Sequence, residues 1–130
     1  MNNTTTPVIL IVDDEPGFME VMLAKLESQG FQTITAVDGN EAITKAKELR
    51  PTLILMDIEL PGKDGITAAA ELAADPTTKE IPLIFVTNLS KENADALAKK
   101  ISLHLDTKNY FSKESDYVYL LRQIRDSVTI

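Results

Sequence analysis

Three carboxylates, a hydroxyl and an ammonium each stand at the end of a short run of apolar residues. Asp13 and Asp14 follow Val8–Val12, Asp57 follows Leu53–Met56, Thr87 closes Leu83–Thr87, and Lys113 ends the run that opens at Asn109. Brought together, the three carboxylates would repel one another, since two like charges 4 Å apart cost about 4 kcal/mol at an effective dielectric of 20. Either one of them keeps its proton, or a hard divalent cation binds between them. Mg²⁺ suits an all-oxygen site that offers few protein ligands and leaves room for water. Such a cation can hold one phosphoryl oxygen while an ammonium neutralises a second and a hydroxyl donates to a third. Phosphoryl transfer asks for little more than this positioning and charge neutralisation. Asp57 is the natural nucleophile of the set, because a carboxylate can form an aspartyl-phosphate.

The elements that carry these groups alternate. Val8–Val12, Leu53–Met56 and Leu83–Thr87 are short apolar runs of the kind buried on both faces of a parallel sheet. Phe31–Val37 mixes β-branched and polar residues and reads as an edge strand, and Asn109–Phe111 as a short fifth strand. Between them lie helical patterns. Pro16 opens the first, Phe18, Val21, Met22 and Leu26 give it an apolar face, and Gly30 stops it. Asp38 with Glu41 forms a capping-box-like start to the second, whose face is Ala42, Ile43, Ala46 and Leu49, and Arg50-Pro51 ends it. Ile66, Ala69, Ala70 and Ala73 line the third, which stops near Asp75-Pro76. Ser90 caps a fourth with Ala94, Leu97, Ala98 and Ile101, and Tyr117, Leu121, Ile124 and Val128 face inward from the last. The stretch Leu103–Lys108 shows no readable pattern.

Five such alternations call for an α/β fold: a doubly wound, five-stranded parallel sheet with helices on both faces. The flavodoxin-like strand order 2-1-3-4-5 is the expected one. That order sets the first and third strands side by side at the centre, so Asp13, Asp14 and Asp57 meet at one end with Thr87 and Lys113 flanking them.

Composition narrows the remaining possibilities. A length of 130 residues fits one domain, with residues 1–7 as a loose tail and 8–130 as the folded unit. Cysteine is absent and there is a single histidine, His104, which removes disulfide scaffolds, thiol nucleophiles and multi-histidine metal sites. His104, followed by Leu105-Asp106, reads as an ordinary, partly exposed histidine. A formal net charge of −7 argues against nucleic acid or an anionic membrane as partner. No apolar run approaches the roughly 20 residues that cross a bilayer. Met1–Pro7 has neither the basic start nor the apolar core of a secretory signal, which leaves the cytoplasm as the default compartment.

From about Val8 to Val128 the chain resembles the receiver domains of two-component response regulators. The resemblance rests on the acidic pair Asp13-Asp14, on Asp57 with its Leu60-Pro61 and Asp64-Gly65 continuation, and on Thr87, Tyr110 and Lys113, in that order. It implies that Asp57 takes a phosphoryl group from the phosphohistidine of a sensor kinase or a phosphotransfer protein. Asp14 and Asp57 would ligate Mg²⁺ with the backbone carbonyl of Glu59, and Asp13 would act mainly through water. Lys113 and Thr87 would hold phosphoryl oxygens. Thr87 would then move toward the phosphate, and Tyr110 would turn into the space it leaves. The surface of the fourth helix, fifth strand and fifth helix would change for a downstream protein. No turnover enzyme is implied, only a domain that catalyses its own phosphorylation and dephosphorylation.

Several residues depart from the receiver pattern. Asn88 stands where a small residue is usual, and Glu114 where a proline usually follows the lysine through a cis bond. A cis bond to Glu114 would cost about 2.5–4 kcal/mol, so the loop carrying Lys113 is expected to differ. The span from Thr87 to Tyr110 is a few residues longer than usual. Glu59 and Leu89 occupy positions that tune dephosphorylation in the family, and Leu89 is expected to shield an acyl phosphate from water. The alternative is a receiver-like interaction module that is never phosphorylated. A haloacid dehalogenase-type hydrolase would need a second Asp where Glu59 stands, and a flavin module would need a Ser/Thr/Gly-rich loop where Asp13-Asp14-Glu15 stands.

Overall fold

The computed structural model describes residues 6–100 and 109–128. His104, Ile101 and the Leu103–Lys108 stretch lie outside the described residues, as does most of the N-terminal tail. The order of elements is β1 (Val8–Val12), α1 (Pro16–Ser28), β2 (Gln32–Ala36), α2 (Gly39–Leu49), β3 (Leu53–Met56), α3 (Gly65–Ala74), β4 (Leu83–Thr87), α4 (Lys91–Lys100), β5 (Tyr110–Ser112) and α5 (Tyr117–Val128). All strand pairs are parallel and the sheet order is β2-β1-β3-β4-β5, as the alternation requires.

Side chains alternate across the pleat, so each central strand feeds two cores. Leu10, Val12, Ile54, Met56 and Phe85 face one way, onto Ala42 and Ala46 of α2, Ile66, Ala69 and Leu72 of α3, and Ala94 and Ala98 of α4. Ile9, Ile11, Leu53, Leu55, Ile84 and Val86 face the other, onto Met22 and Leu26 of α1 and Leu120 and Ile124 of α5. The polar strand β2 lies at the edge, where its mixed composition is tolerated.

Helix faces differ in detail from the expectation. Val21 and Leu49 are exposed rather than inward, with Met22 and Leu26 carrying α1 and Ala42 and Ala46 carrying α2. In α3 the buried stripe includes Ala68 and Leu72, while Ala73 faces solvent, and in α5 Leu120 replaces Leu121 as the fully buried residue. In α1, α3 and α5 two apolar residues adjacent in sequence lie about 100° apart around the helix, and the sheet surface selects one of them. Leu49 instead is the last residue of α2, beyond the buried Ala42 and Ala46.

Local chemistry sets the helix starts near the site. Asp38 accepts a hydrogen bond from the Glu41 N–H at 2.8 Å, and the Glu41 carboxylate accepts one from the Val37 N–H at 2.8 Å, one residue before the cap, in a variant of the capping box. Asp64, part of the Asp64-Gly65 pair in the sequence but not read there as a cap, caps α3 by accepting from the Thr67 N–H at 2.8 Å. Ser90 accepts from the Asn93 N–H at 3.2 Å at the start of α4.

Candidate functional site

Register alone brings the acids together. Val12 of β1 pairs with Met56 of β3, so the next residues, Asp13 and Asp57, leave adjacent strands side by side. The Asp57 N–H donates to the Val12 carbonyl at 2.9 Å, extending the ladder one step past the strands. On the other flank Thr87 pairs with Ser112, which places Lys113 one residue beyond it. The Lys113 N–H donates to the Thr87 carbonyl at 3.0 Å. Four chain segments thus deliver their polar groups to one end of the sheet, where ligands bind in doubly wound folds.

Asp13, Asp57, Thr87 and Lys113 are all buried, whereas Asp14 is exposed. One carboxylate oxygen from each of Asp13, Asp14 and Asp57 lies within 4.8 Å of the others. The Lys113 ammonium sits 3.0 Å from Asp57 Oδ2 and 2.9 Å from Asp13 Oδ2, and it also donates to Glu15 Oε1. Its charge lies 4.6 Å from the centroid of the Phe18 ring, within cation–π range. Asp57 Oδ1 accepts from the Glu59 N–H at 3.1 Å, and Asp13 Oδ1 from the Glu15 N–H at 2.8 Å.

Burial raises the Asp13 carboxyl above its ordinary value, and the nearby charge of Asp57 adds to this. Lys113 and the Glu15 N–H pull it back without reversing it. Burial by itself would push the Lys113 ammonium down. Its close contacts with the Glu15, Asp13 and Asp57 carboxylates outweigh that and hold it above the ordinary lysine value. Lys113 is therefore a fixed positive charge. Asp13 Oδ2 is close to the ammonium, yet the approach lacks hydrogen-bond geometry and no other donor reaches this buried oxygen. The short distance makes it an ion pair with acceptor capacity to spare. Three convergent carboxylates, one with an unfilled buried oxygen, fit the needs of a hard divalent cation. The Glu59 backbone carbonyl, expected as a further ligand, belongs to the residue whose N–H already holds Asp57.

Gly65 underlies this arrangement. A Cβ on Gly65 would lie 2.1 Å from the Asp57 carbonyl oxygen, and the Gly65 N–H donates to the Ile58 carbonyl at 2.8 Å. The start of α3 packs directly on the turn that aims Asp57, which only glycine permits.

Thr87 Oγ1 accepts from the Leu89 N–H at 3.2 Å, and the Tyr110 hydroxyl donates to the Leu89 carbonyl. Threonine and tyrosine are thus tied to the same residue of the loop between β4 and α4. Tyr110 is half-buried, and burial, with a contribution from Asp95, raises its hydroxyl pKa. Leu89 is itself partly buried against the core. No peptide bond among the described residues is cis, and Lys113 reaches Asp57 without the proline that usually follows it. The structure therefore brings Asp13, Asp14, Asp57 and Lys113 together, with Thr87 at the end of β4 and Tyr110 at the start of β5 both bonded to Leu89 of the adjoining loop. Sequence reasoning passed over two residues that touch Lys113, Glu15 and Phe18. Glu15 was visible only as a third acid in the run after β1, and Phe18 looked like any helix-face aromatic.

Residues 9–125 match the family model described as the response regulator receiver domain. Protein PilH of Pseudomonas aeruginosa is 35% identical over 116 residues, covering 89% of this chain and 93% of PilH. Response regulator PleD of Caulobacter vibrioides is 34% identical over 118 residues, or 90% of this chain and 25% of PleD, so the chain spans about a quarter of that relative. Among solved structures, the receiver domain of the sensor histidine kinase PA1611 of Pseudomonas aeruginosa superposes with a TM-score of 0.80 at 28% identity, covering 95% of this chain and 98% of that one. That structure has a magnesium ion coordinated in its active site cleft. The receiver domain of a histidine kinase from Syntrophus aciditrophicus gives a TM-score of 0.82 at 28% identity, over 95% of this chain and 90% of that one. No helix among the described residues is long and apolar enough to cross a membrane. Sheet order, acid cluster and sequence kinship agree, and the chain belongs to the response regulator receiver domain family, a family of signalling modules.

Proposed function

We propose that Asp57 is the phosphoacceptor of a two-component phosphorelay and that residues 8–130 form the receiver unit. The reading is carried by one observation: a buried carboxylate at a strand end, 3.0 Å from a buried ammonium and convergent with two further carboxylates. In the transfer, an Asp57 carboxylate oxygen attacks phosphorus and the P–N bond to the donor histidine breaks, its electron pair returning to the imidazole. Asp14 and Asp57 with the Glu59 carbonyl, and Asp13 mainly through water, would hold Mg²⁺, which would supply charge neutralisation. Lys113 neutralises a phosphoryl oxygen from the opposite side, and the Thr87 hydroxyl donates to another. To do so Thr87 exchanges its contact with the Leu89 N–H, and that links the phosphate to the loop Tyr110 also holds. Phosphorylation then shifts the balance between two arrangements of α4, β5 and α5, by no more than the phosphate's preference for one of them. A sensor histidine kinase or phosphotransfer protein is the donor, and a downstream protein reads the α4–β5–α5 face. Cytoplasmic location follows from the donor.

Incubation with acetyl phosphate and Mg²⁺, followed by intact-protein mass spectrometry, tests this. The wild type should gain one phosphoryl mass, and Asp57→Asn none. No gain in the wild type would favour a receiver-like module that binds without being phosphorylated. A gain persisting in Asp57→Asn would place the acceptor elsewhere.

A further inference from the structure

The Lys113 ammonium is already enclosed by negative charge, and the one carboxylate it donates to with hydrogen-bond geometry is that of Glu15. An ammonium carries three N–H groups, and three carboxylates surround this one: Asp13 at 2.9 Å, Asp57 at 3.0 Å, and Glu15. A phosphoryl oxygen that approaches the ammonium competes with these carboxylates for it. The Asp13 and Asp57 side chains are 1% and 4% exposed, whereas that of Glu15 is 53% exposed. A buried carboxylate stripped of its cation is strongly disfavoured. An exposed one returns to water at little cost.

Resting on the phosphoacceptor reading of Asp57, we propose that Glu15 is a positioning residue that holds Lys113 in the unphosphorylated protein and is the partner exchanged for the phosphoryl group. The Glu15 backbone is fixed. Its N–H donates to Asp13 Oδ1 at 2.8 Å, its carbonyl accepts from the Met19 N–H at 3.0 Å, and Pro16 follows it. Only the side chain is left to move. Three residues on, Phe18 keeps its ring at the ammonium, so Lys113 stays guided when Glu15 lets go. The residue after Lys113 is Glu114 rather than proline, and the ammonium's contacts with Glu15 and Phe18 both come from the start of α1. An arriving phosphoryl group adds negative charge that attracts Lys113 and repels Glu15, so both changes favour the exchange.

Beryllofluoride, a non-covalent phosphoryl mimic, provides the test, with ¹⁹F NMR reading its binding at saturating Mg²⁺. Without its competitor, Lys113 in Glu15→Gln should bind beryllofluoride about five-fold tighter, the scale of one exposed ion pair. Glu15→Ala should move in the same direction. In ¹³C-lysine-labelled protein, the Lys113 Cε resonance should differ between wild type and Glu15→Gln when free, and coincide when both are bound. Unchanged or weaker binding in both variants overturns the inference, as does a Lys113 resonance that differs equally in the free and bound forms. A wild type that binds no beryllofluoride would overturn the phosphoacceptor reading as well, which separates the two failures.

Discussion

Asp13 and Asp57 occupy equivalent ends of neighbouring strands but meet different surroundings. Asp57 has the Glu59 N–H on one oxygen and Lys113 on the other. Asp13 keeps a buried oxygen without a well-directed donor, and burial raises its carboxyl pKa. A carboxyl whose folded pKa lies above its unfolded one holds its proton more tightly in the native state. Its destabilising effect is absent below the unfolded value and grows as pH rises through the folded one. In the absence of divalent cations, Asp13→Asn should therefore be more stable than the wild type at neutral pH. The gap should close as pH falls toward the ordinary aspartate value of 3.8. Urea midpoints measured in EDTA across that range would show it, and a gap that widens on acidification would contradict it.

Among the elements, the start of α3 has the tightest fit to the site. Asp64 caps the helix, and Gly65 lets it sit against the Asp57 carbonyl with no room for a methyl group. Gly65→Ala should force the turn after β3 away, at about 1–3 kcal/mol from overpacking. It should also slow phosphorylation by acetyl phosphate more than its stability loss explains, because the displaced backbone carries Asp57. Denaturant unfolding together with the phosphorylation rate separates the two effects, and an undiminished rate would show that the turn adapts. The cap at Asp38 follows the sequence pattern, while the one at Asp64 carries no such mark, since Thr67 rather than Glu or Gln stands three residues on. The burial phases of α1, α3 and α5 each needed the sheet surface to choose between neighbouring apolar residues.

For the molecule as a whole, the acid cluster sits where two cores end, so its charges are felt by the entire cooperative unit. A ligand that binds only the folded state stabilises it by about 2.7 kcal/mol at a hundred times its dissociation constant. For a domain of this size that corresponds to a rise of roughly 5–10 °C in Tm. Saturating Mg²⁺ should raise Tm by that order in the wild type and leave Asp14→Asn or Asp57→Asn nearly unmoved. Calorimetry with and without the ion checks it, and equal shifts in all three would locate the ion elsewhere. The net charge of −7 makes such a cation effect easy to confuse with general screening, so KCl at matched ionic strength is the control.

The sequence by itself determined the alternation, the strand order, the acids at the ends of β1 and β3, and the lysine after β5. These depend on local patterns: apolar runs that only a doubly covered parallel strand can bury, and polar residues that such a run cannot hold inside. Tertiary structure alone decided what the lysine touches. Glu15 and Phe18 are about a hundred positions from Lys113 and belong to another element, so no spacing rule links them. Which charge pairs with which, and how deeply each is buried, depends on where the folded backbone carries them, and there the direction of approach rather than the distance leaves Asp13 Oδ2 an unfilled acceptor beside the ammonium.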